Sequence, residues 1–248
     1  MKARQRFLLI LSSAAALPVT WASALTPDDS AAIARQMDRG VQLLDQGIPD
    51  TAITRYFDPV IAHYEKLYPH AAGSVYFAHD PNESVIYAAM DDPREQRGHR
   101  KLATVVDDST WPDALELKGY ALVEMQRNEE AIKVFKQAIE IAPIYPASWS
   151  ELGNIYQARK QWGAAADAYR HAAQGAAWLE DPETRRTMQA RAWRGEGSVM
   201  IETGKLDDAE AIYRRCLTLD PSDSRSKGQL AYISAVRQAQ LARAVPAD

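Results

Sequence analysis

Hydrophobic and polar positions alternate along this chain with a helical period. From Pro112 onward, large apolar residues recur at spacings of three and four, interleaved with Gly and Ala, as in Trp149, Gly153 and Tyr156 and, further on, Ala165 and Tyr169. That spacing predicts a succession of amphipathic helices. Punctuation agrees with it. Asn128 before Glu129 and Glu130 reads as a helix N-cap with an acidic first turn. Asp181-Pro182-Glu183 reads as a cap followed by Pro at the first helical position. Pro221 follows the last turn of another helix. A final helix over about 224–243 sets Leu230, Ile233, Val236 and Leu241 on one side and Arg225, Lys227 and Arg237 elsewhere.

The pattern also repeats at long range. A shift of 34 residues lays Leu115 on Trp149, Gly119 on Gly153, Ala131 on Ala165, Phe135 on Tyr169 and Ala138 on Ala172. A further shift of 34 plus ten residues brings the set onto Trp193, Gly197, Ala209, Tyr213 and Cys216. The middle copy reads SWSELGNIYQ, with Trp149, Leu152, Gly153 and Tyr156 in register. In these residues the chain resembles the tetratricopeptide repeat (TPR), whose pattern is W-x2-L-G-x2-Y followed by A-x3-F, an Ala and a Pro. The closing Pro is Pro143 in the first copy and Pro221 in the third, but Ala177 in the second.

The resemblance implies an all-α fold: a right-handed α-solenoid of helix hairpins with a C-terminal capping helix and a less regular N-terminal segment. Repeats are expected at 112–145, 146–179 and 190–223, with residues 180–189 starting the next helix about two turns early. Two paired helices approach closely only where side chains are tiny, so Gly119, Gly153 and Gly197 are expected to face Ala131, Ala165 and Ala209. One pair buries too little apolar surface alone, and stacking supplies the rest.

Upstream, residues 25–69 hold a degenerate copy: Gly40 and Ala52 keep the offset, and Tyr56 stands four beyond Ala52, with Pro69 as a stop. Residues 70–111 are irregular. Ser74 to Ala78 and Leu102 to Val106 are β-prone, with Glu83 to Met90 helical after an Asn82 cap. Another degenerate repeat and a small excursion pairing the two extended runs both fit.

The first 24 residues read as a secretory leader: basic Lys2, Arg4 and Arg6, an apolar run from Phe7 to Val19, then Ala22-Ser23-Ala24 with cleavage after Ala24. The expected location is periplasmic or secreted. Cleavage takes the net charge from −4 to −7 across the remaining 224 residues, which disfavours nucleic acid or an anionic membrane as partner. After cleavage no stable membrane insertion is expected. With Cys216 the only cysteine, no internal disulfide forms.

Candidate chemistry is sparse. None of His63, His70, His79, His99 and His171 makes a close metal pair, and solvated side chains explain them. Cys216 takes a small-residue position in the core. Asp91-Asp92 and Asp107-Asp108 read as solvated turns. No cofactor, metal or catalytic residue is expected.

In the TPR family the first helix of each repeat lines a concave groove. Carried onto this chain, that implies Asp113, Glu116, Tyr120, Val123 and Glu124, then Ala147, Ser150, Asn154, Gln157 and Ala158, then Arg191, Arg194, Ser198, Ile201 and Glu202. Charge grades from acidic through amide to basic, which would orient a ligand with a basic and an acidic part. The clamp by which one TPR subclass grips a C-terminal carboxylate is absent, because Glu116, Tyr120 and Gly195 stand where Lys, Asn and Arg are wanted, although Arg191 matches. The resemblance therefore implies a non-enzymatic module binding a protein or peptide, in envelope assembly or secretion. The alternatives are a metal-dependent or hydrolytic enzyme centred on 70–111, with metal content as discriminator, and a homo-oligomer.

Overall fold

The computed structural model describes residues 27–90 and 103–244; the leader, His99 and Leu102 lie outside them. Among the described residues the chain is a helical solenoid interrupted by one small parallel sheet. Three helix pairs follow one another: α5 (Thr110–Glu124) with α6 (Asn128–Ile141), α7 (Pro146–Ala158) with α8 (Trp162–Ala176), and α9 (Pro182–Glu202) with α10 (Leu206–Leu219). α11 (Ser224–Ala244) packs on α10 and closes the stack. Asp181 caps α9 by accepting from the Thr184 N–H at 2.7 Å.

Each pair is locked by a glycine against an aromatic ring. A Cβ added at Gly119 would lie 2.4 Å from Phe135, at Gly153 2.6 Å from Tyr169, and at Gly197 2.9 Å from Tyr213. The expected facing of these glycines on Ala131, Ala165 and Ala209 is thus corrected. The alanines are fully buried, but the close partner of each glycine is the ring four residues further on. Removing Cβ lets the ring lie flat on helix backbone, which fills the space at interior density.

Seven residues past each of these glycines the backbone turns left-handed, at Gln126 (φ 60°), Lys160 (φ 57°) and Gly204 (φ 75°). The next N–H then reaches back five residues, as from Arg127 to the Leu122 carbonyl at 2.8 Å. This is the Schellman closure, which satisfies carbonyls a helix end leaves orphaned.

The N-terminal pair obeys the same rules with one slip. Following α1 (Pro27–Asp45), Gly47 (φ 71°) makes the same turn. The second helix is α2 (Pro49–Ala52), a π turn at Ile53–Phe57, and α3 (Asp58–Leu67). The ring against Gly40 is that of Phe57, not Tyr56, which stays half-exposed. Gly40 to Phe57 spans seventeen residues where the other pairs span sixteen. The π turn absorbs the extra one, with the Asp58 N–H donating to the Ile53 carbonyl. Pro59 follows at once and has no N–H to continue an α ladder.

Of the stretch 70–109, the described residues, 70–90 and 103–109, form the excursion. β1 (Val75–Phe77) and β2 (Thr104–Val106) pair in parallel, Val75 opposite Thr104, with α4 (Pro81–Ala89) between them in sequence. The cap of α4 is Asp80, which accepts from the Glu83 N–H at 3.0 Å, rather than Asn82. α6 likewise begins at Asn128 with no side-chain cap bond; Arg127 there pairs with Glu130 instead. On α11, Ile233 is buried and Leu230 and Val236 half-buried, but Leu241 is exposed rather than on the packed side.

Candidate partner-binding groove

The first helices α5, α7 and α9 lie side by side and share a connected strip of polar side chains. At its centre is Tyr169, reaching across from α8. Its hydroxyl lies 2.7 Å from Asn154 Oδ1 and 2.9 Å from Gln157 Oε1, while Gln157 Nε2 lies 2.9 Å from Ser198 Oγ on α9. A hydroxyl carries one proton. The network closes when Tyr169 donates to Asn154 and the Gln157 amide turns over, so that its NH2 donates to Tyr169 and its oxygen accepts from Ser198. Asn154 Nδ2 also donates to Glu151 Oε2 at 3.2 Å. Each amide keeps a second N–H unspent.

Gly195 explains why that ring fits. A Cβ there would lie 2.4 Å from the Tyr169 ring, which is wedged between Gly153 and Gly195. The carboxylate-clamp Arg has no room at that position.

Four of the six charged residues of the expected groove, Asp113, Glu116, Arg191 and Arg194, are engaged within the chain, while Glu124 and Glu202 are exposed. Arg191 on α9 is ion-paired with the buried Glu151 on α7, beside Tyr120, whose hydroxyl burial and the nearby Glu151 push up to about 12. Arg194 pairs with Asp223 at 3.1 Å, at the start of α11, and so ties the third pair to the cap. Glu116 is buried and accepts from the Ser148 N–H at 3.2 Å and Oγ–H at 2.8 Å. Burial pushes its carboxyl up to about 7, against the opposing pull of His79 and Ser148. Val123 packs on the main core. The expected acidic-to-basic gradient is therefore largely spent on internal pairing. Tyr120, Asn154, Gln157, Ser198 and one edge of Arg191 remain to face a ligand.

Sequence reasoning missed Glu151, Ser148 and His79. Glu151 and Ser148 stand one position away from the groove pattern, and His79 arrives from the excursion. His79 is not solvated. Its ring lies flat on Tyr145 at 3.4 Å and 5°, with Nδ1 3.1 Å from Glu83 Oε2 and Nε2 3.3 Å from Asp113 Oδ1, off the line of a hydrogen bond. Burial alone would lower its pKa. The Glu83 hydrogen bond and the nearby charges of Asp113 and Glu83 outweigh that and raise it to about 9. Further ties seat the excursion: the Ile144 N–H donates to the Tyr87 hydroxyl at 3.3 Å, the Glu180 N–H to Asp80 at 3.0 Å, and Asn82 to the Trp178 carbonyl at 3.1 Å. It thus borders the groove where α5, α7 and α9 begin.

The other singled-out residues are placed plainly. His171 stacks on Trp149 at 4.4 Å. Asp108 is no free turn: it accepts from the Tyr64 hydroxyl and from the Thr110 N–H at 2.8 Å, and Asp107 accepts from Ser84. Asp91-Asp92 lies outside the described residues. Cys216 is buried. Among the described residues no group of three or more His, Cys, Asp or Glu is arranged to hold a metal, and no helix is long and apolar enough to cross a membrane.

Comparison with known proteins accords with this geometry. Family models described as TPR repeat or tetratricopeptide repeat match residues 119–160, 148–183 and 190–223. The chain is a tetratricopeptide-repeat protein. Protein bimA of Emericella nidulans is 28% identical over 117 residues, which is 47% of this chain but 13% of that relative's length. Among solved structures, MamA 41-end from Desulfovibrio magneticus RS-1 aligns over 83% of this chain and 85% of its own, at 14% identity and a TM-score of 0.51. The first TPR of Spaghetti (RPAP3) bound to the HSP90 peptide SRMEEVD aligns over 53% of this chain and 96% of its own, at 21% identity and a TM-score of 0.45. TPR folds of this kind serve protein–protein interaction.

Proposed function

We propose that this TPR protein binds an extended segment of a partner protein along the strip from Tyr120 through Asn154 and Gln157 to Ser198, after export into the bacterial periplasm. The observation that carries the reading is the orientation of the two amides by Tyr169. Asn154 and Gln157 each present an N–H that has no partner among the described residues, at the spacing of adjacent helical turns. Such donors suit the carbonyls of an extended backbone, and their fixed rotamers reduce the entropy lost on binding. Because Arg191, Arg194 and Glu116 are already paired, main-chain hydrogen bonding rather than terminal charge dominates recognition. Export rests on Lys2, Arg4, Arg6 and the apolar run to Val19. The proposal extends to a role in envelope assembly or secretion, on the strength of that leader together with the repeats.

The test is the double variant Asn154→Ala, Gln157→Ala. Partner recovered from periplasmic extract by the full-length protein should fall several-fold, while circular dichroism at the assay temperature shows the variant still folded, even though loss of the Tyr169 hydroxyl's partners lowers its thermal transition. Undiminished recovery would overturn the reading.

A further inference from the structure

The head of the groove, where the excursion meets α5 and the start of α7, holds a carboxylate that is only half occupied. Glu116 Oε1 accepts both bonds from Ser148. Glu116 Oε2 has no hydrogen-bond partner among the described residues, yet it is not sealed in. The residue is more than nine-tenths buried but keeps 8% of its surface open, and Oε2 is not one of the enclosed polar atoms. Asp113 and Tyr120 stand one turn to either side of it on the same face of α5. Tyr145, just ahead of α7, carries His79 flat on its ring at 3.4 Å, and its hydroxyl makes no hydrogen bond among the described residues. Burial, then the charges of Glu116 and Asp113, raise the Tyr145 hydroxyl, and Glu116 also helps to raise Tyr120, so its field reaches both rings. Charge at this end does not balance. Glu83 and Asp113 share His79, at 3.1 and 3.3 Å, and Glu151 takes Arg191 from α9, so with Glu116 four carboxylates face two cations.

We propose that the groove head takes a lysine side chain of the partner's extended segment, with its ammonium seated on Glu116 Oε2. This deepens the reading of the amide strip and rests on it for the path of the rest of the segment. An ammonium has three donors, which Glu116 Oε2 and the hydroxyl oxygens of Tyr120 and Tyr145 accept. Its aliphatic stem lies against the two rings. Arginine fits worse, because a guanidinium fork needs both oxygens of a carboxylate and Oε1 is already held by Ser148. The arriving charge supplies the cation that the four carboxylates lack and offsets the desolvation of Glu116.

The experiment titrates full-length protein, carrying carbon-13 in its glutamate carboxyls, with a capped pentapeptide, Ala-Ala-Lys-Ala-Ala. It follows the Glu116 carboxyl resonance, assigned by its loss in Glu116→Gln. Norleucine or Arg in place of Lys gives the comparison peptides. Burial raises Glu116 to about 7, whereas His79, raised to about 9, stays charged, so the ionised share of Glu116 falls about tenfold from pH 8 to pH 6. The site predicts a saturable shift with the Lys peptide, none with norleucine and weaker binding with Arg. Affinity for the Lys peptide should drop about tenfold between pH 8 and pH 6. An unmoved Glu116 resonance, equal shifts with Lys and norleucine, Arg binding as tightly as Lys, or an affinity indifferent to pH would each overturn the proposal. All four readings use the unaltered protein and need no natural partner. A strip that binds nothing would therefore leave the Lys response at Glu116 in place, and a silent Glu116 would leave the Asn154→Ala, Gln157→Ala result untouched.

Discussion

The Tyr169 ring lies against Gly195 of the following repeat so closely that one added carbon would sit 2.4 Å from it. The same ring rests on Gly153 of its own repeat and delivers its hydroxyl to Asn154 and Gln157. Packing between repeats and the order of the groove are therefore one arrangement.

Gly195→Ala should then cost about 1–3 kcal/mol by overpacking, and Gly153→Leu at least as much. Urea unfolding measures both. If Tyr169 is the obstacle, Tyr169→Ala combined with Gly195→Ala should cost less than the two single changes added together.

Lys160 adopts the left-handed turn that glycine takes at Gly47 and Gly204. Lys160→Gly removes a strained Cβ from an exposed site, against the greater freedom of glycine in the unfolded chain. A net gain of about 0.5–1 kcal/mol in chemical denaturation is expected.

Much of this was legible in the sequence, and the illegible parts have physical reasons. The Gly-to-aromatic offset is local, so Gly119, Gly153 and Gly197 announce three helix pairs. The offset to Phe57 is longer by one because a π turn precedes Pro59, and a fixed-period reading lands on Tyr56. Of the groove, Asn154, Gln157 and Ser198 follow from position in the repeat. His79 over Tyr145 does not, because that contact joins segments far apart in sequence.

Protonation sets the hold of the excursion. His79 is raised from 6.5 to about 9, so its contribution is complete below pH 6.5 and is lost as pH rises through 9. Glu116 is raised from 4.5 to about 7, so its contribution is complete below 4.5 and is lost as pH rises through 7. Both act in the same direction. Hydrogen exchange of residues 74–90, corrected for intrinsic rate, should show weaker protection at pH 9 than at pH 6. His79→Gln should flatten the upper part of that profile.

Asp223 joins two elements, accepting from Ser226 Oγ–H at 2.6 Å and pairing with Arg194. Asp223→Ala should cost about 1–3 kcal/mol and fray the start of α11 first. Limited proteolysis near Ser224 reads this out.

The central claim is that the amide strip on α5, α7 and α9 is where a partner lies. Site-specific photo-crosslinking in intact cells tests it most directly, with the reactive group placed in turn at exposed Asn154 and at exposed Lys133 on α6. The account predicts a discrete crosslinked species from position 154 and none from position 133. The same species from both positions, or from 133 alone, would contradict it.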